Sequence, residues 1–172
     1  MEKWNDFFFL CGSSAAGLTG LMFIAVTFGS KFVTKESLAQ VNVFLSPVCF
    51  HFIQVFFLCC IAEIPVSNTK PLGAIILLSS AWRSIKLIRT IKQMKITSRH
   101  DAEIEGSDWM ICVYLPVIAF AALIGSGVGF IFQSQWQAQW AIYIFSTCLL
   151  GLLFIGALGA WEMLIWIATK ID

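Results

Sequence analysis

Two polar side chains within an apolar stretch are the first candidates for a functional role. His51 and Gln54 lie three residues apart in the predicted helix 43–64, so they share one helix face. Histidine gains and loses a proton near neutral pH, and an ionisable group inside a membrane is costly enough to indicate a function. The pair could therefore line a pore or relay protons. The alternative is that both side chains hydrogen-bond a neighbouring helix, which is a common form of packing in membranes.

A run of basic residues is the second candidate. Residues 83–95 carry Arg or Lys at every third position, namely Arg83, Lys86, Arg89, Lys92 and Lys95. In one interpretation the helix leaves the membrane here, and the charges contact anionic lipid headgroups and set the topology. In a second, several copies of the chain form a basic cytoplasmic mouth, because rings of Arg and Lys mark anion pores. The third is a voltage sensor, since the spacing resembles that of the fourth helix of voltage-gated channels.

Other reactive residue types do not form a known site. Asp101, Glu103 and Glu105 begin like a calcium loop, but Cys112 stands at the twelfth position, where a bidentate Glu is needed. The six cysteines lie in apolar runs and are expected to be free thiols. The sequence contains no nucleophile elbow, phosphate loop or metalloprotease helix. It therefore predicts no metal, no cofactor and no enzyme activity, with a membrane enzyme as a distant alternative.

The composition indicates an integral membrane protein. Of the 172 residues, 59% are hydrophobic and 12% are charged, whereas a soluble domain carries about 25% charged residues. The mean hydropathy is +0.84. A net charge of +1 gives no argument for binding nucleic acid.

Five apolar segments reach the length of about 20 residues that a helix needs to cross a bilayer, the third only by including basic residues. They cover approximately residues 7–28, 43–64, 71–94, 109–132 and 140–167. Helices are favoured because apolar and polar residues do not alternate, as they would in a membrane β-barrel. We therefore predict an all-α integral membrane protein, with a single transmembrane domain, residues 1–172, built as a bundle of about five helices.

The distribution of basic residues predicts the orientation of this bundle. Five crossings place the two termini on opposite sides of the membrane. One side carries Lys31, Lys35, Arg83, Lys86, Arg89, Lys92, Lys95, Arg99 and Lys170, and the other carries only Lys3 and Lys70. The positive-inside rule then places the N-terminus outside, and the C-terminus and the charged loop 96–108 in the cytoplasm.

Small residues at intervals of four form stripes on the predicted helices. The stripes are Gly12, Ala16 and Gly20 in the first segment, Ala121, Gly125 and Gly129 in the fourth, and Gly156 and Ala160 in the fifth. Small residues at this spacing let two helices approach closely in lipid. The contact can lie within one protomer or between protomers. We expect a homo-oligomer, because five helices offer fewer internal faces than three stripes would fill.

The two ends of the chain resemble a known type of protein. Residues 8–28, F-F-L-C-G-S-S-A-A-G-L-T-G-L-M-F-I-A-V-T-F, resemble the first helix of a group of small bacterial membrane proteins, in which an A-A-x-L-T-G-L-x-F-x-A-like stretch opens a five-helix chain. Residues 156–169 are similar to the closing stretch of that group, where a small residue precedes Trp and an apolar run. The resemblance implies five helices and a location in the bacterial inner membrane. It implies no activity, and it does not extend to the basic run.

Two functions of different classes are consistent with these features. The first is a homo-oligomeric channel or pore for small ions, with His51 and Gln54 near the middle of the membrane and a basic cytoplasmic mouth. The second is a non-conducting membrane subunit or assembly factor that binds a partner through the charged loop 96–108. In both cases the expected contacts are the lipid bilayer, with its anionic headgroups, and further copies of the chain.

The predicted orientation can be tested by labelling single cysteines introduced into a cysteine-free variant. A membrane-impermeant thiol reagent added to intact cells should label a cysteine placed within residues 133–139, because that connection is predicted to lie outside. The same reagent should not label a cysteine within residues 96–108. The reverse labelling pattern would contradict the predicted topology.

Overall fold

The computed structural model describes residues 4–29, 38–64, 69–97, 113–132 and 135–168, and side chains for most of these. The described residues form five α-helices, which confirms the prediction of an all-helical chain. They are α1 (Asn5–Gly29), α2 (Leu38–Ala62), α3 (Lys70–Thr97), α4 (Leu115–Phe132) and α5 (Gln135–Ala168).

Four of the described helices are long and apolar enough to cross a membrane. The corresponding spans are Asn5–Thr27, Lys70–Ile88, Leu115–Phe132 and Gln139–Glu162, and α2 contributes a shorter apolar stretch, Val48–Ala62. Large apolar side chains on these helices point outward, for example Phe9 and Leu78, which are 72% and 73% exposed. A soluble monomer rarely exposes so much apolar surface. These features indicate a membrane protein.

Two helices begin five residues earlier than the apolar segments predict. Helix α2 begins at Leu38 instead of residue 43, and α5 begins at Gln135 instead of residue 140. The predicted bounds follow apolarity, whereas a helix continues through polar residues such as Gln whose helix propensity is high. Helix α4 follows a short π-helical turn at residues 113–114. Its predicted start at 109 lies outside the described residues, as does most of the predicted loop 96–108.

The chain divides into two compact units. The first unit comprises Met1–Cys60 and Leu152–Asp172, and the second comprises Ile61–Gly151. Helices α1 and α2 and the second half of α5 therefore belong mainly to the first unit, while α3, α4 and the first half of α5 belong to the second. That the whole chain acts as a single domain stays a prediction.

The first unit is held together by apolar side chains that pack onto small residues. Its core contains Met22, Val48 and Phe52, with Leu18, Cys49, Leu153 and Ala160 packed against it. A Cβ atom placed on Gly156 would lie 2.6 Å from Cε1 of Phe52, and one on Gly159 would lie 2.6 Å from Cγ2 of Val48. This face of α5 is therefore shaped to the side chains of α2, because any larger residue would collide with them.

The second unit is built on a close antiparallel contact between α3 and α4. Thr69 Oγ1 donates a hydrogen bond to the carbonyl of Phe130 over 3.3 Å. One turn further along α3, a Cβ atom placed on Gly73 would lie 2.7 Å from the carbonyl oxygen of Gly127. At the other end of this contact, the guanidinium of Arg83 lies 5.9 Å from the centre of the Phe120 ring. Helices α3 and α4 therefore lie side by side, from the start of α3 beside the end of α4 as far as Arg83 beside Phe120.

The residues that allow this close approach differ from those of the predicted stripe. Gly127 contacts α3, whereas a Cβ atom on Gly125 would meet nothing within 4 Å beyond its own helix backbone. The two positions are two residues apart, and so point about 160° apart on a helix. Packing of the Gly125 face against a neighbour within one chain is therefore not seen among the described residues.

Alanine substitutions at these two kinds of glycine should differ in their effect on the free energy of unfolding. Gly73→Ala should lower the free energy of unfolding by about 1–3 kcal/mol, because the added methyl group collides with backbone that cannot turn aside. Gly125→Ala is the matched control and should leave stability unchanged or slightly raised, since alanine favours the helix. The measurement is the unfolding midpoint of the purified protein in sodium dodecyl sulfate titrations. Equal stability of the two variants would contradict the α3–α4 contact.

Candidate functional site

Hydroxyl groups on these helices usually bond to the backbone of their own helix. Ser13 donates to the carbonyl of Phe9 and Thr19 to that of Ala15, each over 2.7 Å. The same arrangement occurs at Thr27, Ser79, Ser84, Ser126 and Thr147. Such bonds satisfy a hydroxyl where hydrocarbon supplies no partner. A buried hydroxyl that lacks such a bond is therefore an exception to the usual arrangement.

Three buried polar side chains do not follow this arrangement. Neither amide atom of Gln54 has a hydrogen-bond partner in the part of the chain that the structure describes, and the same holds for the hydroxyls of Ser80 and Ser146. All three side chains are buried. Leaving a buried polar group without a partner costs about 1–3 kcal/mol. These positions are therefore candidates for contact with a group outside the described residues.

On α2, the structure buries both predicted polar residues. His51 is 3% exposed and Gln54 is 7% exposed. The buried face of α2 is otherwise apolar and includes Phe52, Val55 and Leu58. His51 lies within this face, and Gln54 lies at its edge, about 60° away around the helix. The two side chains thus face inward from α2, while their assignment to a pore or relay stays a prediction.

On α3, the buried face changes from apolar to polar along the helix. Its residues are Leu72, Gly73, Ile76 and Ser80, followed by the half-buried Arg83. Ser80 is 0% exposed. Arg83 falls within the apolar span Lys70–Ile88 and packs over Phe120 of α4. An arginine within a membrane span is expensive and is usually retained for a function.

Lys86 has a different environment from Arg83, although it lies only one turn away. Its side chain is exposed, and its Nζ atom lies 5.8 Å from the centre of the Trp82 ring, which is also exposed. A lysine stem that follows apolar surface with its charge directed toward water is the ordinary arrangement near a membrane boundary. The first two basic residues therefore differ in burial, and only Arg83 belongs to the interior.

The remaining basic residues lie on the same continuous helix. Helix α3 has 28 residues, which is about 42 Å and exceeds the hydrocarbon thickness of about 30 Å. Its last turns therefore extend beyond the apolar span. The side chains of Arg89, Lys92 and Lys95 lie outside the described side chains, so their predicted contact with headgroups or a mouth stays a prediction.

The predicted small-residue stripes are placed on different surfaces. Gly12 is buried, and a Cβ atom there would lie 3.1 Å from Cβ of Cys59 on α2. Ala16, Gly20, Ala121 and Gly125 are exposed, and Gly129 is half-buried. Gly12 therefore packs within the first unit. A role of the exposed members in contact between copies of the chain stays a prediction.

Ser80, Ser146 and Phe120 are candidate residues that sequence reasoning missed. A serine in an apolar helix normally bonds its own backbone, so the sequence alone does not single it out. The spacing of the neighbouring residues could have indicated Ser80. Leu72, Ile76, Ser80 and Arg83 follow one another at intervals of four, four and three, which places them on one helix face.

Comparison with known proteins supplies no relative. No protein family model matches the chain, and no curated protein or solved structure is significantly similar to it. The resemblance of the two ends to a group of small bacterial membrane proteins therefore stays a prediction. Any functional assignment has to be argued from the residues themselves.

Gln54 allows a test of whether its amide stabilises the fold. Gln54→Met replaces the amide by an apolar group of similar shape and should leave the free energy of unfolding unchanged or raise it by up to about 2 kcal/mol, because no partner among the described residues is lost. Gln139→Met, at an exposed position on α5, is the control and should have no effect. Unfolding is followed as for the glycine variants. A clear loss of stability in Gln54→Met would show that the amide only holds the helices together.

Proposed function

We propose that the protein is a homo-oligomeric membrane channel for small ions in a bacterial inner membrane. Five helices would cross the membrane, with the N-terminus outside and the C-terminus in the cytoplasm. The observation that carries this proposal is Gln54, whose amide is buried in an apolar helix and has no hydrogen-bond partner among the described residues.

Burial of the Gln54 amide without a partner among the described residues carries an energetic cost. In hydrocarbon or in a dry core, an amide without a partner costs about 1–3 kcal/mol. A hydrated pathway removes that cost, because water or a passing ion can bond to both the N–H and the C=O of the amide. His51 lies one turn away on the same side of α2, about 4.5 Å along the helix axis, and adds a second buried polar group. Polar residues of membrane helices that face the interior of the helix bundle commonly line such pathways.

The length of α3 supports a basic mouth at one end of the pathway. Arg83 to Lys95 lie on the last part of this helix, which extends past the apolar span. A cluster of like charges at the entrance of a narrow, apolar-walled passage raises the local concentration of counter-ions. The mouth would therefore favour anions over cations.

The exposed small residues support association of several copies. Ala121 and Gly125 on α4, and Ala16 and Gly20 on α1, are exposed on apolar helices. Helices in lipid associate through close packing, to which small side chains contribute most. A symmetric ring assembled through one of these faces would place the same helix of every copy toward the common axis.

Ion flux in liposomes tests the proposal. Liposomes that contain the purified protein should dissipate a chloride gradient. Gln54→Met should slow this flux by about tenfold, which corresponds to roughly 1.4 kcal/mol of added barrier. Ile53→Met, at the neighbouring exposed position of α2, is the matched control and should conduct like the unmodified protein. The particle mass should correspond to several copies.

The alternative function has a different outcome in the same experiment. A non-conducting subunit would show no flux with any monovalent salt, and its purified particle would contain one copy with a second protein. That result would contradict the channel. The alternative depends on the charged loop 96–108, most of which lies outside the described residues.

A further inference from the structure

We infer that the buried side-chain amide of Gln54 binds water, and that water is a further species conducted by the pathway that Gln54 lines. The ligand class that fits this amide is a small neutral molecule with both a hydrogen-bond donor and an acceptor. The conduction of water rests on the proposed function, whereas the binding of water at Gln54 does not.

The hydrogen-bonding groups of Gln54 determine the class of ligand. Neither Nε2 nor Oε1 has a hydrogen-bond partner among the described residues, and the residue is only 7% exposed. A primary amide has two N–H donors and a carbonyl oxygen that accepts. A bare anion would bond only to the N–H groups and a bare cation only to the oxygen, so either would leave a buried group unsatisfied at a cost of about 1–3 kcal/mol. Water donates and accepts, and it satisfies both groups.

The charged residues of the first unit lie mostly outside its described helices. The sequence of this unit contains Glu2, Lys3, Asp6, Lys31, Lys35, Glu36, Glu162, Lys170 and Asp172. Only Asp6 on α1 and Glu162 on α5 belong to the part that the structure describes. On α2 the titratable side chain nearest to Gln54 is His51, and the next charged residue along the chain, Glu63, follows the end of that helix.

On α1, the carboxylate of Asp6 lies far from the level of Gln54. Gly12 lies beside Cys59, because a Cβ atom on Gly12 would be 3.1 Å from Cβ of Cys59. The two helices run antiparallel, since later residues of α1 meet earlier residues of α2 in the core of this unit. Gln54 is five residues before Cys59 and is thus level with about residue 17 of α1. Asp6 is eleven residues from that level, which is about 16 Å along the axis.

On α5, Glu162 is similarly remote from Gln54. Gly159 lies beside Val48, and the second glycine contact, one turn earlier on α5, lies one turn later on α2, so these helices are also antiparallel. Gln54 is six residues after Val48 and is level with about residue 153, which is about 13–14 Å from Glu162 along the axis. A bare ion beside Gln54 would therefore have no carboxylate of the described helices near it. An ion passing this level keeps its water, and the amide binds that water.

The apolar surroundings of Gln54 indicate a file of several waters instead of one isolated molecule. The neighbouring buried residues of α2, Val55 and Leu58, are 0% exposed, and their side chains offer no hydrogen bond. A buried water makes about three hydrogen bonds, of which one amide supplies at most two, and further waters supply the rest. Permeation through a narrow passage depends on its diameter and on the hydrogen-bonding groups that line it. A neutral amide in an apolar wall therefore suits the passage of water.

The binding of water is tested on the full chain in liposomes by water-edited solid-state magnetic resonance. The protein carries nitrogen-15 in its glutamine side chains, and the Gln54 signal is identified by its loss in Gln54→Met. Magnetisation should pass from water to Gln54 Nε2 as rapidly as to Nε2 of Gln139, which lies at an exposed position of α5. An amide bonded to a protein group away from water would not show this rapid transfer.

The conduction of water is tested by the osmotic shrinkage of liposomes in stopped-flow light scattering, with sucrose as the osmolyte. Liposomes that contain the protein should shrink faster than protein-free liposomes. Gln54→Met should lower the protein-dependent permeability by about tenfold, because it removes a hydrogen-bonding site from the passage. Gln54→Asn retains a primary amide and should keep most of the permeability. Ile53→Met, at the exposed neighbour, is the matched control and should shrink like the unmodified protein.

Several outcomes would overturn the inference. Transfer from water to Gln139 without transfer to Gln54 would reject the binding of water. Shrinkage at the rate of protein-free liposomes, or at equal rates for the unmodified protein and Gln54→Met, would reject its conduction. Water conduction without chloride flux would reject the ion channel and leave this inference, whereas chloride flux without water at Gln54 would reject this inference and leave the channel.

Discussion

The hydrocarbon of a bilayer offers no hydrogen-bond partner, and the arrangement of this chain follows from that constraint. Helices satisfy the backbone, and hydroxyls such as those of Ser13 and Thr147 bond to their own helix even where they are exposed on it. Gln54 and Ser80 have no such bond among the described residues, and both are buried. Buried polar groups of this kind are where a hydrated pathway or a bound ion would be needed.

Close helix contacts hold these polar side chains in place. In the first unit, Phe52 rests on the bare backbone of Gly156, and His51 is the preceding residue on α2. In the second unit, Gly73 and Gly127 bring α3 and α4 together, and the same contact places Arg83 under Phe120. Because packing and not the hydrophobic effect drives helix association in lipid, glycines at these positions determine where the polar groups lie.

The sequence predicts some of these features for clear physical reasons. Apolar length predicts the helices, and a histidine with a glutamine in an apolar run is visible without a structure. The beginning of α5 at Gln135 is not predictable from apolarity, because helix formation continues where the apolar run stops. The choice of Gly127 over Gly125 depends on how α3 and α4 are rotated about their axes, which spacing alone does not determine. Spacing indicates that Ser80 shares a helix face with Ile76 and Arg83, but only its observed geometry shows that its hydroxyl does not bond its own helix.

The central claim is that buried polar residues line a hydrated pathway through the membrane. The most direct test is the reaction of a small, hydrophilic thiol reagent with single cysteines in a cysteine-free variant reconstituted in liposomes. The account predicts that Gln54→Cys reacts readily in spite of the burial of this position within one chain, whereas Ile53→Cys, at the exposed neighbour that would face lipid, does not. Protection of Gln54→Cys from the reagent, at a level equal to that of Ile53→Cys, would contradict the account.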